Sequence, residues 1–376
     1  RIMKQLSILI KPSSSLCNLR CKYCFYADLA GIRENASFGF MTDETVERML
    51  ENIRRDLSPG DRVTFAFQGG EPTLSGLPFF RHFTELVARW DPVIRVSYSI
   101  QTNATLLNDE WCRFLAEHLF LVGVSLDMLP ESHNAVRVDA GGSGTYGQVR
   151  QAISLLEKHR VEYNVLCTLT NEIARYPKRI WSQLCKLDIR YVQFTPCLDE
   201  LEKSGESIFA LTPRRFSSFY KGLFPLWLES LQKGNYRSIK FFDDVVNLMA
   251  FGIPTACGIN GVCQPQVVIE ADGSVYPCDF YCLDCYSMGN ITRNRLSDMQ
   301  ESPGRIAFLN REHRIPKLCG SCRYARFCGG NCKRMQRQIC YGETDDYCGY
   351  QDFLDTCGGA LQQIAKDQRR RHGFGR

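Results

Sequence analysis

Three cysteines near the start of the chain, Cys17, Cys21 and Cys24, stand in the spacing C-x3-C-x2-C. Thiolates so spaced can hold three irons of a four-iron cluster, which leaves the fourth iron without a protein ligand and open to a substrate. Zinc is the alternative, although a structural zinc site wants four ligands and usually two close pairs. Uncoordinated core thiols are the third reading. A second set lies further on: Cys257-x5-Cys263-x14-Cys278, then Cys319-x2-Cys322-x5-Cys328-x3-Cys332, then Cys348. Eight thiolates would fully ligate two further clusters, or hold two structural zinc ions. Asp279 follows Cys278 directly in YPCDFY and is a candidate base beside that set. Asp243 and Asp244 in KFFDDVV are a weaker pair, which an exposed helix start explains.

These residues belong to a chain of 376 residues with 19 cysteines, three between Cys17 and Cys24, four scattered and twelve from Cys257 to Cys357. An odd count in a long chain argues against a disulfide framework. The opening RIMKQLSILIKPSSS lacks an apolar stretch ending at a small-residue cleavage site, so a reducing cytoplasmic setting is expected. No apolar run approaches the roughly 18 residues of a spanning helix, and no membrane association is expected. The net charge of +5 is too small to imply nucleic acid, and the basic end QRRRHGFGR reads as a solvated tail. Hydrophobic and charged fractions of 44% and 23% are those of a globular protein.

Six β-rich runs alternate with amphipathic helical segments over residues 5 to 200, which predicts βαβ units and a parallel sheet. The strands are expected at Leu6 to Lys11, Val63 to Phe67, Arg95 to Gln101, Leu121 to Leu126, Glu162 to Thr168 and Arg190 to Phe194. Helices are expected at Thr42 to Leu57, Asp109 to His118, Tyr146 to His159 and Arg179 to Leu187. Six units fall two short of an eightfold barrel. Chemistry on such a barrel sits where strands exit at their carboxyl ends. The exits here read CNLRCKYCFY, QGGEPTL, QTNATL, SLDMLP and TPCLDE. Beyond these come two helices within 212–252 and a short, Gly- and Cys-rich region. Within it QVVIEADGSVYPCDF predicts a hairpin turning at Asp272-Gly273 and returning Cys278 to the end where Cys263 enters.

The cysteine triad on the loop after the first strand resembles the radical S-adenosylmethionine (SAM) family. The resemblance implies a partial (β/α)6 barrel over residues 1–235 and, over residues 236–376, a small Cys-rich SPASM domain binding two auxiliary clusters. Three 4Fe-4S clusters and SAM are the implied cofactors. The open iron would bind SAM, whose one-electron cleavage yields a 5′-deoxyadenosyl radical. Gly69-Gly70-Glu71-Pro72 looks like the family's second motif, whose backbone receives the SAM amino group. Similarity also implies SAM contacts for Tyr23, Ser125, Arg137 and Leu198, with core packing as the plain alternative for Leu198. By the SPASM resemblance, Cys257, Cys263, Cys278 and Cys332 hold one auxiliary cluster, and Cys319, Cys322, Cys328 and Cys348 the other. Cys112, Cys167, Cys185, Cys197, Cys282, Cys285, Cys340 and Cys357 are then core or incidental thiols.

KPSSSLCNLRCKYCFY, FAFQGGEPTL, SIQTNATLL, FLVGVSLD, VQFTPCLD and DGSVYPCDFY resemble in particular the anaerobic sulfatase-maturating enzymes. That implies oxidation of a Cys, or in some members a Ser, in a CXPXR-like segment of an unfolded sulfatase to Cα-formylglycine. The radical takes a Cβ hydrogen, Asp279 accepts the thiol or hydroxyl proton, and the auxiliary clusters take the electron. A flavodoxin- or ferredoxin-type donor would supply the first electron, in an anaerobic setting. One departure stands out: Asp127-Met128-Leu129-Pro130 replaces the Asp-Gly-Pro common in relatives. Losing the Gly removes easy access to positive φ and is expected to put two bulky side chains near the rim. The competing function is a SPASM enzyme that crosslinks or otherwise modifies a ribosomally made peptide. Such enzymes often carry an added N-terminal recognition domain, and only 16 residues precede Cys17. A non-enzymatic zinc or electron-transfer protein is the third class.

Overall fold

The computed structural model describes residues 4–342 and 346–373, so the last three residues of the basic end lie outside the described residues. It divides into two compact units. The first takes the chain up to Ser125, then Asn134–Tyr163 and Pro265–Arg311. The second comprises Leu126–His133, Asn164–Gln264 and Glu312 onward. Among the described residues no helix is long and apolar enough to cross a membrane.

Strands of the first unit are β1 (Gln5–Ile10), β2 (Arg62–Phe67), β3 (Arg95–Thr102) and β4 (Leu121–Ser125), all parallel in register. The second unit carries β5 (Tyr163–Leu169), β6 (Tyr191–Pro196) and β7 (Ser238–Ile239), also parallel. Each of the six strands expected in the barrel lies within two residues of its sequence position. Helices α1 (Phe25–Ile32), α2 (Asp43–Arg55), α3 (Gly76–Ala88) and α4 (Asp109–Glu117) follow their strands, with α5 at Pro130–Val136 and α6 at Tyr146–Lys158. Then come α7 (Pro177–Lys186), α8 (Pro213–Gln232) and α9 (Lys240–Phe251). Local chemistry sets several of these starts: Thr42 Oγ1 accepts from Thr45 N at 3.2 Å and Asn108 Oδ1 from Trp111 N at 2.9 Å. The chain ends in the helix Gly349–Arg371, whose last basic residues are exposed.

Helix α3 did not stand out in the sequence because its run GLPFFRHFTELVA opens on Gly-Leu-Pro and is crowded with aromatics. Those aromatics build the core of the first unit. Phe80 of α3 meets Phe67 of β2 with ring centroids 4.9 Å apart, and Phe83 meets Phe65 at 5.0 Å, both edge-on. In the second unit Phe242 of α9 packs on Trp227 of α8 and on Phe353 of the C-terminal helix.

The hairpin turns where expected, with β8 at Val267–Ile269, β9 at Ser274–Tyr276 and Gly273 at φ 87°. Its place in the sheet was not expected. β8 pairs in parallel with β1, Ile8 opposite Val267 and Ile10 opposite Ile269, and β10 (Gly289–Asn290) closes the edge in the order β10-β9-β8-β1-β2-β3-β4.

Two expectations are corrected. Met128 adopts the left-handed φ itself, at 47°, and both Met128 and Leu129 are buried rather than placed at an open rim. Asp127 explains the tolerance: its N–H donates to His133 Nδ1 at 3.2 Å, and its Oδ1 accepts from Thr168 N at 3.0 Å, so the turn is held from both sides. Asp243 and Asp244 are not an exposed pair. Asp244 is buried against Lys240 and Thr255, and burial raises the Asp243 carboxyl although Ser238 and Tyr236 donate to it.

Met128→Gly relieves a left-handed conformation costing about 1–2 kcal/mol but empties a fully buried site, which costs about 2–5 kcal/mol. The net expectation is a loss of about 1–3 kcal/mol, read as a lower denaturation midpoint; a higher midpoint would mean that the strain outweighs the packing.

Candidate functional site

Beyond Ile10 the chain turns through residues 12–15 and enters the cysteine loop. Backbone bonds hold that loop against the last residue of α5 and the segment after it: Lys22 N to Val136 O at 3.1 Å, Arg20 N to Val138 O at 2.7 Å, and a bridge between Leu19 and Asp139. Leu19 N donates to Cys17 Sγ at 3.3 Å and Asn103 Nδ2 reaches the same sulfur at 3.8 Å. Burial pushes the Cys17 thiol up to about 11, against the Leu19 N–H, with Glu71, Cys21 and Cys24 adding to the rise. Helix α1 begins directly after Cys24, its N-terminus suited to a thiolate.

Gly69 and Gly70 lie beneath this loop. A Cβ on Gly70 would fall 2.1 Å from Leu16 O, and one on Gly69, at φ 124°, 2.8 Å from Ser14 O. Only glycine permits Gly70 N to donate to Ser14 O and Glu71 N to Leu16 O. Glu71 is fully buried, its Oε1 accepting from Thr73 and Thr102 and its Oε2 from Asn103 N. Asn103 in turn reaches Asn18 and Cys17, so one buried carboxylate ties the exits of β2 and β3 to the cysteine loop.

Of the expected SAM contacts, Tyr23 and Arg137 come together, the guanidinium 5.5 Å from the ring centroid. Ser125, at the end of β4, accepts from Gln101 Nε2 at 3.0 Å. Leu198 lies in the second unit, on the exit of β6, and is buried.

Asp279 sits in a single turn of helix after β9, nine-tenths buried, at the carboxyl ends of β1 and β2. Lys11 Nζ, one residue past β1, is 3.0 Å from its Oδ1. Tyr26 OH, two residues past Cys24, donates to its Oδ2 at 2.6 Å, and Gln68 Nε2 reaches the same oxygen at 3.2 Å. Lys11 also lies 3.3 Å from Cys282 Sγ and 3.9 Å from Glu270, which Arg33 engages at 2.6 Å. Burial works against the Lys11 ammonium, yet Asp279, Cys282 and Glu270 raise its pKa. Burial pushes the Cys282 thiol up to about 12 despite that lysine. The turn expected of Asp279 is there, but its carboxylate is held inside a charged cluster. Lys11, Tyr26 and Gln68 carried no motif of their own, and the one signal for them was their place on strand exits.

In the second unit Cys257, Cys263 and Cys332 interact electrostatically, and a Cβ on Gly258 would meet Cys332 Cβ at 2.7 Å. Cys278 is in the first unit, next to Pro277, whose carbonyl accepts from Gln266 N. Cys319, Cys322, Cys328 and Cys348 line one cavity of about 250 Å³, together with Cys340, which was expected to be a core or incidental thiol and is fully buried. The neighbouring Cys340 thiol is the leading cause that lowers both Cys328 and Cys348, Cys348 to about 7, against burial.

None of the 19 cysteines, all of which lie among the described residues, is joined in a disulfide. Among the described residues no three His, Cys, Asp or Glu side chains gather around a point for a single metal ion. Zinc would draw its sulfurs to about 2.3 Å from itself; a four-iron cluster is a larger body. The donors on Cys17, the glycine pair beneath the loop and the four cysteines around one cavity fit such clusters.

The pattern of the radical SAM superfamily matches residues 12–173, and that of an iron-sulfur cluster-binding domain, SPASM, matches residues 257–323. A cysteine-type anaerobic sulfatase-maturating enzyme of Clostridium perfringens is 38% identical over 97% of this chain and its own full length. A serine-type enzyme of Bacteroides thetaiotaomicron is 30% identical over 88% of this chain and 83% of its own. The structure of anSMEcpe with bound AdoMet and Kp18Cys peptide superposes with a TM-score of 0.88 at 36% identity, over 96% of this chain and 99% of that one. The expected fold class, a partial six-unit α/β barrel followed by a Cys-rich module, is that of these proteins.

Gly70→Ala forces the exit of β2 away from Leu16 and disturbs the loop that carries Cys17. Anaerobically reconstituted variant is expected to lose most of its SAM-cleaving activity, at least tenfold by the sensitivity of such sites to ångström displacements. Wild-type cleavage by the variant would show that the close approach is without consequence.

Proposed function

The chain belongs to the anaerobic sulfatase-maturating enzymes of the radical SAM superfamily, and from that premise we propose how its residues carry out the reaction. It is an oxidoreductase that converts a cysteine side chain of a peptide substrate to Cα-formylglycine. The likeness to cysteine-type relatives, higher than to the serine-type one, supports cysteine as the substrate residue. The peptide we infer is a CXPXR-like segment of an unfolded sulfatase, met in a reducing cytoplasm and with a flavodoxin- or ferredoxin-type electron donor.

Cys17, Cys21 and Cys24 would hold the cluster that binds SAM, with Tyr23, Gly70, Ser125, Arg137 and Leu198 around the SAM. Cys257, Cys263, Cys278 and Cys332 would hold a second cluster and Cys319, Cys322, Cys328 and Cys348 a third, which assigns the radical step to residues 1–235 and electron acceptance to residues 236–376. These groups, when bound, supply a 5′-deoxyadenosyl radical that takes one Cβ hydrogen atom and an acceptor for one electron. The protein's own contribution is the proton. Asp279 accepts the substrate thiol proton on a carboxylate oxygen as the electron departs, and the resulting thioaldehyde exchanges its sulfur with water.

The observation that carries this role is the company Asp279 keeps. Lys11 lies 3.0 Å from one carboxylate oxygen, and the Tyr26 and Gln68 donors hold the other, so the carboxylate is aimed from both sides. Tyr26 also ties it to the loop of Cys24. Full cysteine ligation of both auxiliary clusters would leave no iron open to substrate, which supports electron transfer as their task.

Asp279→Asn keeps the shape and removes the proton acceptor. With SAM, dithionite and a CXPXR peptide, 5′-deoxyadenosine is expected to form while formylglycine, seen by mass as loss of sulfur and two hydrogens for one oxygen, falls about 10²- to 10⁴-fold. Undiminished formylglycine would remove Asp279 from the role. Lys11→Met is expected to act in the same direction, by about tenfold or more, through an Asp279 carboxylate no longer held in place; an unchanged rate would leave Lys11 a structural cation only.

A further inference from the structure

The cavity framed by Cys319, Cys322, Cys328 and Cys348 contains one sulfur more than a four-iron cluster needs. Cys340 follows a short helical turn at Gln336–Ile339 and is fully buried. It lines the same cavity as Cys328 and Cys348, two of the four proposed ligands. The adjoining backbone fixes it there: Cys340 N donates to Gln336 O at 2.8 Å, and Cys340 O accepts from Gly349 N at 2.6 Å, directly after Cys348. Gly349 allows this approach, since a Cβ on it would lie 2.6 Å from Ile339 O. A buried thiol has one proton to give, and the neighbouring sulfurs are the acceptors it faces.

We infer that Cys340 is a positioning residue of the second auxiliary cluster, a non-ligating thiol that donates a hydrogen bond to the ligand sulfur of Cys348 or Cys328 and thereby raises the reduction potential of that cluster. The inference rests on the ligand assignment proposed above. Its physics is that a donor to a cluster sulfur stabilises the extra negative charge of the reduced state. The consequence for the reaction is directional. An electron released in the active site travels outward only if the last acceptor is the more readily reduced, and a hydrogen bond at one cluster biases it that way without changing ligand number.

The test uses the full-length chain carrying Cys17→Ala, Cys21→Ala and Cys24→Ala, so that only auxiliary clusters contribute, reconstituted without oxygen and titrated with redox mediators under electron paramagnetic resonance. Adding Cys340→Val, which keeps volume and removes the donor, is expected to leave iron and sulfide content unchanged. It should lower the midpoint of one cluster so that its reduced fraction at fixed potential falls roughly tenfold, about 59 mV for a one-electron couple. Cys340→Ser, which retains an O–H donor, is expected to recover most of the shift. Unchanged midpoints with both clusters present overturn the inference. So does loss of one cluster's iron in Cys340→Val together with Cys340→Ser, which makes Cys340 a ligand. A parent protein that binds only one auxiliary cluster overturns the ligand assignment itself, and iron counting separates that result from the others.

Discussion

The parallel pairing of β8 with β1 is the constraint on which the candidate active site depends. β1 begins the chain, and without a partner on its outer side it would be an edge strand with a row of unpaired backbone groups. β8, buried on both faces, fills that side, and Lys11 N donating to Ile269 O extends the pairing one residue past the strand. This contact carries the turn after β9 to the carboxyl ends of β1 and β2. There Asp279 meets Lys11 from one exit and Gln68 from the other. The polar exits of a parallel barrel become a site only once this segment from late in the chain closes over them.

The charges at that junction are costly, which limits what they can be for. Taking ions such as Lys11, Asp279, Glu270 and Arg33 out of water costs several kcal/mol each, and their mutual attraction roughly offsets it only when geometry is good. Arg33 on Glu270 at 2.6 Å and Lys11 on Asp279 at 3.0 Å meet that condition. An apolar cluster of similar volume would join β1 to the hairpin at least as firmly. What it would not provide is a buried carboxylate held in a fixed orientation, and a proton acceptor has to be so placed.

Much of this was legible in the sequence where the signal is local. The six barrel strands, the capped starts at Thr42 and Asn108, the Asp272-Gly273 turn and the cysteine spacings each depend on residues within a few positions of one another. The pairing of β8 with β1 does not, and the hairpin looked like part of a separate module. Tyr26 and Gln68 are separated from Asp279 by 253 and 211 residues, so nothing around either announces its partner. Cys340 is buried, as a core thiol would be, but its place on the four-cysteine cavity was hidden for a related reason. The sets of four were complete without it, and counting ligands cannot reveal a thiol whose place is beside them. Met128 shows the converse error: residue type forbade an easy positive φ, but the bonds of Asp127 to both flanking segments override that preference.

The chemistry itself explains why proton and electron acceptors should be close. A carbon radical next to a thiol gives up its electron more readily as the proton leaves, because the alternative is to build a positive charge in a buried site. If Cys278 ligates a cluster and Asp279 is the base, as proposed, ligand and proton acceptor would be joined by a single peptide bond, and β9 would position both at once. A shift of the hairpin by one residue along β1 would exchange the faces of its side chains, so the register of Ile8 on Val267 holds Cys278 and Asp279 in step.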